Sequence, residues 1–188
     1  MWRVAPAGLI LAAGAGSRFG GTKQLADLRG RPLLEYAVEA MLGALDRVVV
    51  VLGHEASLIH SRVDFGRAKV VVANDWSTGQ AASLRRGMSA VEDADAVVIT
   101  LGDQPFITSA VITRSLAQLP GYDAVRAVYA GQPGHPVVFG RAVMDAVGSV
   151  SGDVGAREIL ANFRVNEWEA SQLASAADLD TVAELEAL

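Results

Sequence analysis

Short runs rich in Val and Ile, separated by segments whose apolar residues recur at helical intervals, set the strongest limit on how this chain can fold. Such alternation is the pattern of β-α-β units around a largely parallel sheet that is buried on both faces. It predicts strands over 8–13, 47–53, 69–73, 95–102, 123–129 and 136–140, with 95–102 the most apolar and therefore central. Helices are expected over 32–45, with a Pro near the first turn, and over 80–91, 109–119 and 154–162. A short strand around Val165 and a capped helix from about Asp180 close the chain. With no repeat, low-complexity tract or linker, the economical expectation is one three-layer α/β/α, Rossmann-like domain over residues 1–188 with a mostly parallel sheet.

Composition removes several chemistries. The 188 residues include no Cys, which excludes a disulfide framework, a thiolate nucleophile and Cys-bound zinc or iron–sulfur clusters. Any metal is then held by oxygen or imidazole, and the three His show no HExxH-type spacing. Sixteen basic against 21 acidic residues, a net charge of −5, argue against a surface built to neutralise a nucleic-acid backbone, although a local pocket can still take one phosphorylated ligand. No apolar run approaches the roughly 18 residues of a membrane span, and residues 1–11 lack a signal-peptide pattern, so a soluble, unprocessed, cytoplasmic protein is expected.

The 19 Gly exceed the average share of roughly 7%, and their placement is informative. LAAGAGSRFGGTKQL (11–25) carries the first strand straight into a loop with four Gly, Arg18 and Lys23. Gly lets a backbone approach a ligand closely and turn successive N–H groups onto anionic oxygens, while Arg and Lys add charge. Two familiar phosphate loops each miss by one residue. The Walker A spacing of Gly16 and Gly21 is followed by Thr22 before Lys23, and the dinucleotide fingerprint begun by Gly14 and Gly16 finds Phe19 where Gly20 is needed.

Asp103, in LGDQPF, follows the central strand at its carboxyl end, where parallel sheets open into a ligand crevice. It suits Mg²⁺, or else caps the next helix, for which Thr108 and Ser109 are nearer candidates. Asp153, between Gly152 and Gly155 in SGDVGARE, is open to the same two readings. In NDWSTGQAASLRRG (74–87), a polar loop with Asn74 and Trp76 leads into a helix start bearing Gly79, Gln80 and Ser83, and free N–H groups there bind polar edges. Trp76 either covers a ligand or packs under the loop, while Arg85 and Arg86 read as a solvated face. His135, in PGHPVVF, serves a turn or faces a substrate, His54 follows the second strand beside Gly53, and His60 is expected on the surface.

Taken in order, LAAGxGxRFGxxKQL, the Trp76 loop, GDQP, GHPV, GDxGAR and DLDT (178–181) resemble the MobA-like nucleotidyltransferases over nearly the whole chain. LAAG and GDxGAR resemble the molybdenum cofactor cytidylyltransferase branch; Phe19 stands where the family usually has Met. The resemblance implies a nucleotide-diphospho-sugar transferase-like fold. It also implies transfer of CMP from CTP to a phosphorylated acceptor, molybdopterin or its molybdenum-loaded form, with release of pyrophosphate. In that scheme Arg18, Lys23 and Asp103 are catalytic, and Asp103 with Asp153 holds Mg²⁺, or Mn²⁺. Leu11, Ala12, Ala13, Gly14, Gly16, Ser17, Arg18, Lys23, Gly53, Asn74, Gly79 and Ser83 bind the nucleotide, and His135 meets the acceptor. The partners implied are small molecules and, transiently, molybdoenzyme maturation proteins, with no nucleic acid or membrane. The same loop also resembles that of a nicotinamide-dependent reductase of a nicotine-derived pigment, in which it would hold a dinucleotide and Glu55 would meet a ribose hydroxyl. A nucleotide-binding regulator without turnover, or a transferase using another nucleotide or acceptor, stays open beside both.

Overall fold

The computed structural model describes residues 5–16, 19, 21–147 and 159–174. Ser17, Arg18 and Asp153, most of the helix expected over 154–162, and the closing DLDT segment lie outside the described residues. The first strand, β1 (Ala7–Ala12), ends in the glycine-rich loop, followed by a single 3₁₀ turn (Lys23–Leu25) and a two-stranded hairpin, β2 (Asp27–Leu28) and β3 (Arg31–Pro32). Next come α1 (Leu33–Ala44), β4 (Arg47–Leu52), α2 (Ala56–Arg62) and β5 (Lys69–Val72). A 3₁₀ turn at Trp76–Thr78 leads into α3 (Gln80–Ser89), β6 (Ala96–Leu101) and α4 (Ser109–Ala117). The remaining elements are β7 (Ala124–Tyr129), β8 (Gln132–Gly140), α5 (Arg141–Val147) and β9 (Val165–Glu169).

Seven strands form one sheet in the order β5-β4-β1-β6-β8-β7-β9. The pairs β5·β4, β4·β1, β1·β6 and β7·β9 are parallel, and β8 alone runs against its neighbours β6 and β7. Strand alternation divides the core into two layers. On one face Ile10, Val50, Leu52 and Val98 pack under Leu34, Val38 and Met41 of α1, Ile59 of α2, and Val111 and Ile112 of α4. On the other, Leu9, Val49, Val51, Ile99 and Phe139 pack against Leu84 and Met88 of α3 and Val143 and Val147 of α5. Burial on both faces explains why β1, β4 and β6 read as nearly unbroken apolar runs.

The sequence reading lacks α2, α5 and the β2–β3 hairpin and starts β8 late, and two of these departures have plain causes. Helix α2 buries only Ile59, too little to leave an apolar period in the sequence. Strand β8 begins at Gln132, four residues earlier than expected, because Pro133 and Gly134 read as strand breakers although this stretch pairs with the end of β7. Thr108 caps α4 as expected, its Oγ1 accepting from the Val111 N–H at 3.4 Å.

Candidate active site

The loop after β1 is fixed through its carbonyl groups. The Leu11 carbonyl accepts from the Gly102 N–H at 3.0 Å, tying the ends of β1 and β6, and the Ala13 carbonyl accepts from the His54 N–H at 3.0 Å. Gln24, 6% exposed, donates from Nε2 to the carbonyls of Ala12 and Gly14, both at 2.9 Å. Gly16 turns the chain back at φ +60°, and a Cβ there would lie 3.0 Å from the Lys23 Cβ. The Thr22 hydroxyl donates to the Glu55 carboxylate, which fastens the far side of the loop to the start of α2.

These anchors deliver Lys23 to the end of the central strand. Its Nζ lies 2.7 Å from Oδ2 of Asp103, with the lysine side chain 8% and the aspartate side chain 28% exposed. Among the described residues, the other carboxylate oxygen, Oδ1, is buried without a hydrogen-bond partner. A carboxylate held on one oxygen and bare on the other is ready to accept a further donor or a cation. Two chain segments 80 residues apart thus place opposite charges at the carboxyl ends of β1 and β6.

The crevice continues toward β4 and β5. A Cβ on Gly53 would fall 2.6 Å from the Trp76 Cβ and 2.7 Å from the Ala13 carbonyl, so at Gly53 the carboxyl end of β4, the Trp76 turn and the loop come together. Trp76 is half-buried and packs edge-on against His54, with ring centroids 5.1 Å apart. It joins the core layer under α3, so packing is the reading the contacts favour. Ser83 is buried one turn into α3, Gly79 precedes that helix, and Asn74 is exposed in the turn after β5. Arg85 lies 4.0 Å from Asp75, and Arg86 donates to the Val72 carbonyl from an exposed position.

On the other side of Asp103, His135 sits near the start of β8, and its backbone carbonyl accepts from the Tyr129 hydroxyl at 2.6 Å. Burial pushes the imidazole pKa down to about 4, while the negative charge of Asp103 pulls it the other way, so His135 is neutral near pH 7. Burial likewise raises the Tyr129 phenol to about 12, helped by the charge of Glu169. His60 is exposed and stacks on Phe65, away from these groups.

The structure therefore brings Leu11, Ala12, Ala13, Gly14, Gly16, Lys23 and Asp103 together and sets Gly53 and the start of α3 at the same carboxyl end of the parallel strands. Sequence reasoning missed Gln24 and the pairing of Thr22 with Glu55 as parts of this loop. Gln24 was open to detection as an amide directly after Lys23, whereas Glu55 lies 33 residues from Thr22 and left no signal. Among the described residues, no group of three or more His, Asp or Glu is arranged to hold a metal, and Asp103 presents a buried carboxylate oxygen without a partner among them.

A glycine-rich loop and a Lys–Asp pair at the carboxyl ends of neighbouring parallel strands are the arrangement of the nucleotide-binding class of α/β proteins. Within that class the chain belongs to the MobA-like NTP transferase domain family, which it matches over residues 8–171. It is 36% identical over 190 residues to the nicotine blue oxidoreductase of Paenarthrobacter nicotinovorans, covering 95% of this chain and 93% of that one. Among solved structures it is similar to Rv0371c from Mycobacterium tuberculosis H37Rv, at 29% identity and a TM-score of 0.88, covering 100% of this chain and 98% of the other. Rv0371c solved as a complex with manganese superposes at a TM-score of 0.83, with 26% identity and 98% coverage of both chains.

Proposed function

We propose that the protein is a nucleotidyltransferase that moves CMP from CTP to a phosphorylated acceptor, molybdopterin or its molybdenum-loaded form, and releases pyrophosphate. An oxygen of the acceptor phosphate attacks the α-phosphorus of CTP; that P–O bond forms as the bond to the β-phosphate oxygen breaks, and pyrophosphate leaves with the bonding electron pair. A phosphate monoester has a second pKa of about 6 and is mostly dianionic at pH 7, so the attacking oxygen needs no general base. Positioning and charge neutralisation then carry the catalysis. Lys23, Arg18 and the loop N–H groups stabilise the leaving pyrophosphate. Leu11 to Gly14, Gly16 and Ser17 surround the triphosphate, and Gly53, Asn74, Gly79 and Ser83 line the nucleoside side. His135, neutral at pH 7, offers a hydrogen bond to the acceptor.

The observation that carries this reading is the Lys23–Asp103 pair, with Asp103 Oδ1 buried and without a partner among the described residues. An oxygen-only donor beside a phosphate loop fits Mg²⁺ or Mn²⁺, which take one or two carboxylates plus substrate phosphates. Asp103, with Asp153 as second ligand, would hold the ion, and the ion would supply Lewis-acid neutralisation of the α-phosphate and the acceptor. The test is pyrophosphate release from each of the four ribonucleoside triphosphates with molybdopterin as acceptor. CTP is expected to dominate, and equal rates with all four would remove the case for cytidine.

The similarity to nicotine blue oxidoreductase favours a second reading, a nicotinamide-dependent oxidoreductase on the same scaffold. Glu55 would then meet a ribose hydroxyl. Against it, the dinucleotide fingerprint is broken by Phe19, and a hydride transfer gives Asp103 no evident task.

A further inference from the structure

The glycine-rich loop binds anions only if its N–H groups, rather than its carbonyl groups, face the ligand, and glycine content does not decide between the two. The loop's own bonds do. The carbonyls of Ala12 and Gly14, two residues apart, both point at a single atom, Nε2 of Gln24, each at 2.9 Å. Because both partners are carbonyl oxygens, the atom between them must be the amide nitrogen, whose two N–H groups are both given to the loop. In a planar trans peptide the N–H points opposite to the C=O. The N–H groups of Ala13 and Ala15, which share their peptides with those two carbonyls, therefore face away from Gln24. Between them the Ala13 carbonyl is taken by the His54 N–H, so three successive peptides are anchored through their oxygens. Gln24 itself is 6% exposed, on the protein side of the loop.

We propose that Gln24 is the positioning residue of the phosphate loop: by holding the Ala12 and Gly14 carbonyls inward, it fixes the Ala13 and Ala15 N–H groups as an anion cradle. This rests on the reading of the loop as a triphosphate site and adds which residue gives the loop its polarity. It also explains an amide at position 24, since a carboxylate could donate to neither carbonyl and would be repelled by both. Lys23, the preceding residue on the same 3₁₀ turn, is brought to Asp103 by the same anchor.

The experiment is a titration of the ¹⁵N-labelled full chain with inorganic tripolyphosphate, which has no base or sugar, and separately with cytidine, which has no phosphate. In the wild type, tripolyphosphate is expected to shift the Ala13 and Ala15 backbone resonances while the Gln24 side-chain amide stays unmoved. Gln24→Met is expected to weaken tripolyphosphate at least tenfold, and Gln24→Glu more, with cytidine affinity unchanged in both. Tripolyphosphate bound equally by wild type and Gln24→Met would overturn the proposal, as would a shift of the Gln24 amide as large as that of the backbone, which would make it a direct ligand. If the variants do not fold, the wild-type pattern alone decides in the same way. A wild type that binds cytidine but no tripolyphosphate would overturn the triphosphate reading of the loop itself.

Discussion

The two halves of the sheet are built by different rules. In the parallel half, β5-β4-β1-β6, strands β1, β4 and β6 are apolar on both faces except for buried Thr100, with Arg47 their lone charge, and polar groups collect in the loops at their carboxyl ends. In the half made by β8, β7 and β9, charge enters the strands: Arg126 of β7 contacts Glu167 of β9, and the Glu169 carboxylate accepts from the Ala130 and Gly131 N–H groups. The first half separates scaffold from chemistry, so a loop can be shaped without disturbing the core. The second carries polar side chains on the scaffold. The proposed nucleotide site belongs to the first half and His135, proposed to meet the acceptor, to the second, with Asp103 between them.

That contrast predicts unequal effects. The largest concerns the pair that closes the parallel half. Asp103→Ala or Lys23→Met should each lower turnover by about 10²–10³-fold, the range for losing one electrostatic stabiliser in an active site. For stability, Lys23→Met/Asp103→Asn should melt above at least one of the single variants, because each single change strands a part-buried charge and the double change strands none. Strictly additive melting temperatures would show that the pair is solvated and uncoupled.

Next in size is packing at the loop. Gly53→Ala should cost about 1–3 kcal/mol in chemical denaturation, because the new Cβ meets a backbone carbonyl and a Trp76 Cβ below 3 Å and neither can move freely. A neutral result would mean that the Trp76 turn adapts and does not brace the loop.

In the second half, His135 gives a pH dependence of known sign. Its folded pKa of about 4 lies below the ordinary 6.5, so the unfolded chain takes up the proton first. Stability from this residue is complete above pH 6.5 and is lost as pH falls from there toward 4. Replacing His135 by Gln should flatten that slope in urea titrations at several pH values, and an unchanged slope would show that the imidazole is solvated. Smallest of all, Arg126→Ala should change stability by about 1 kcal/mol or less, since its partner Glu167 is half exposed.

The same contrast governs how much the sequence revealed. Strands β1, β4 and β6 were legible to within a residue or so because burial on both faces writes apolar residues into consecutive positions, and the edge strand β5 because its three consecutive Val have high strand preference although only Val71 is buried. The hairpin of β2 and β3 was not, since two residues per strand carry no alternation and its turn at Arg29 and Gly30 rests on local backbone conformation. At the site, Gly14, Gly16, Lys23 and Asp103 stood out because glycine and charge at strand ends are rare enough to be signals. Gln24 looked like an ordinary polar residue; what distinguishes it is the convergence of two carbonyls on its amide, a property of the folded loop. Thr22 and Glu55 were hidden for the same reason.

On the proposed function, the parallel half holds a nucleoside triphosphate with a divalent cation at Asp103. Thermal unfolding of the full chain with CTP and Mg²⁺, with GTP and Mg²⁺, and with NADPH tests it most directly. CTP with Mg²⁺ should raise the melting temperature more than either alternative, and Asp103→Ala should abolish the metal-dependent part of that rise. Stabilisation by NADPH alone, indifferent to metal and to Asp103→Ala, would instead mark the loop as a dinucleotide site.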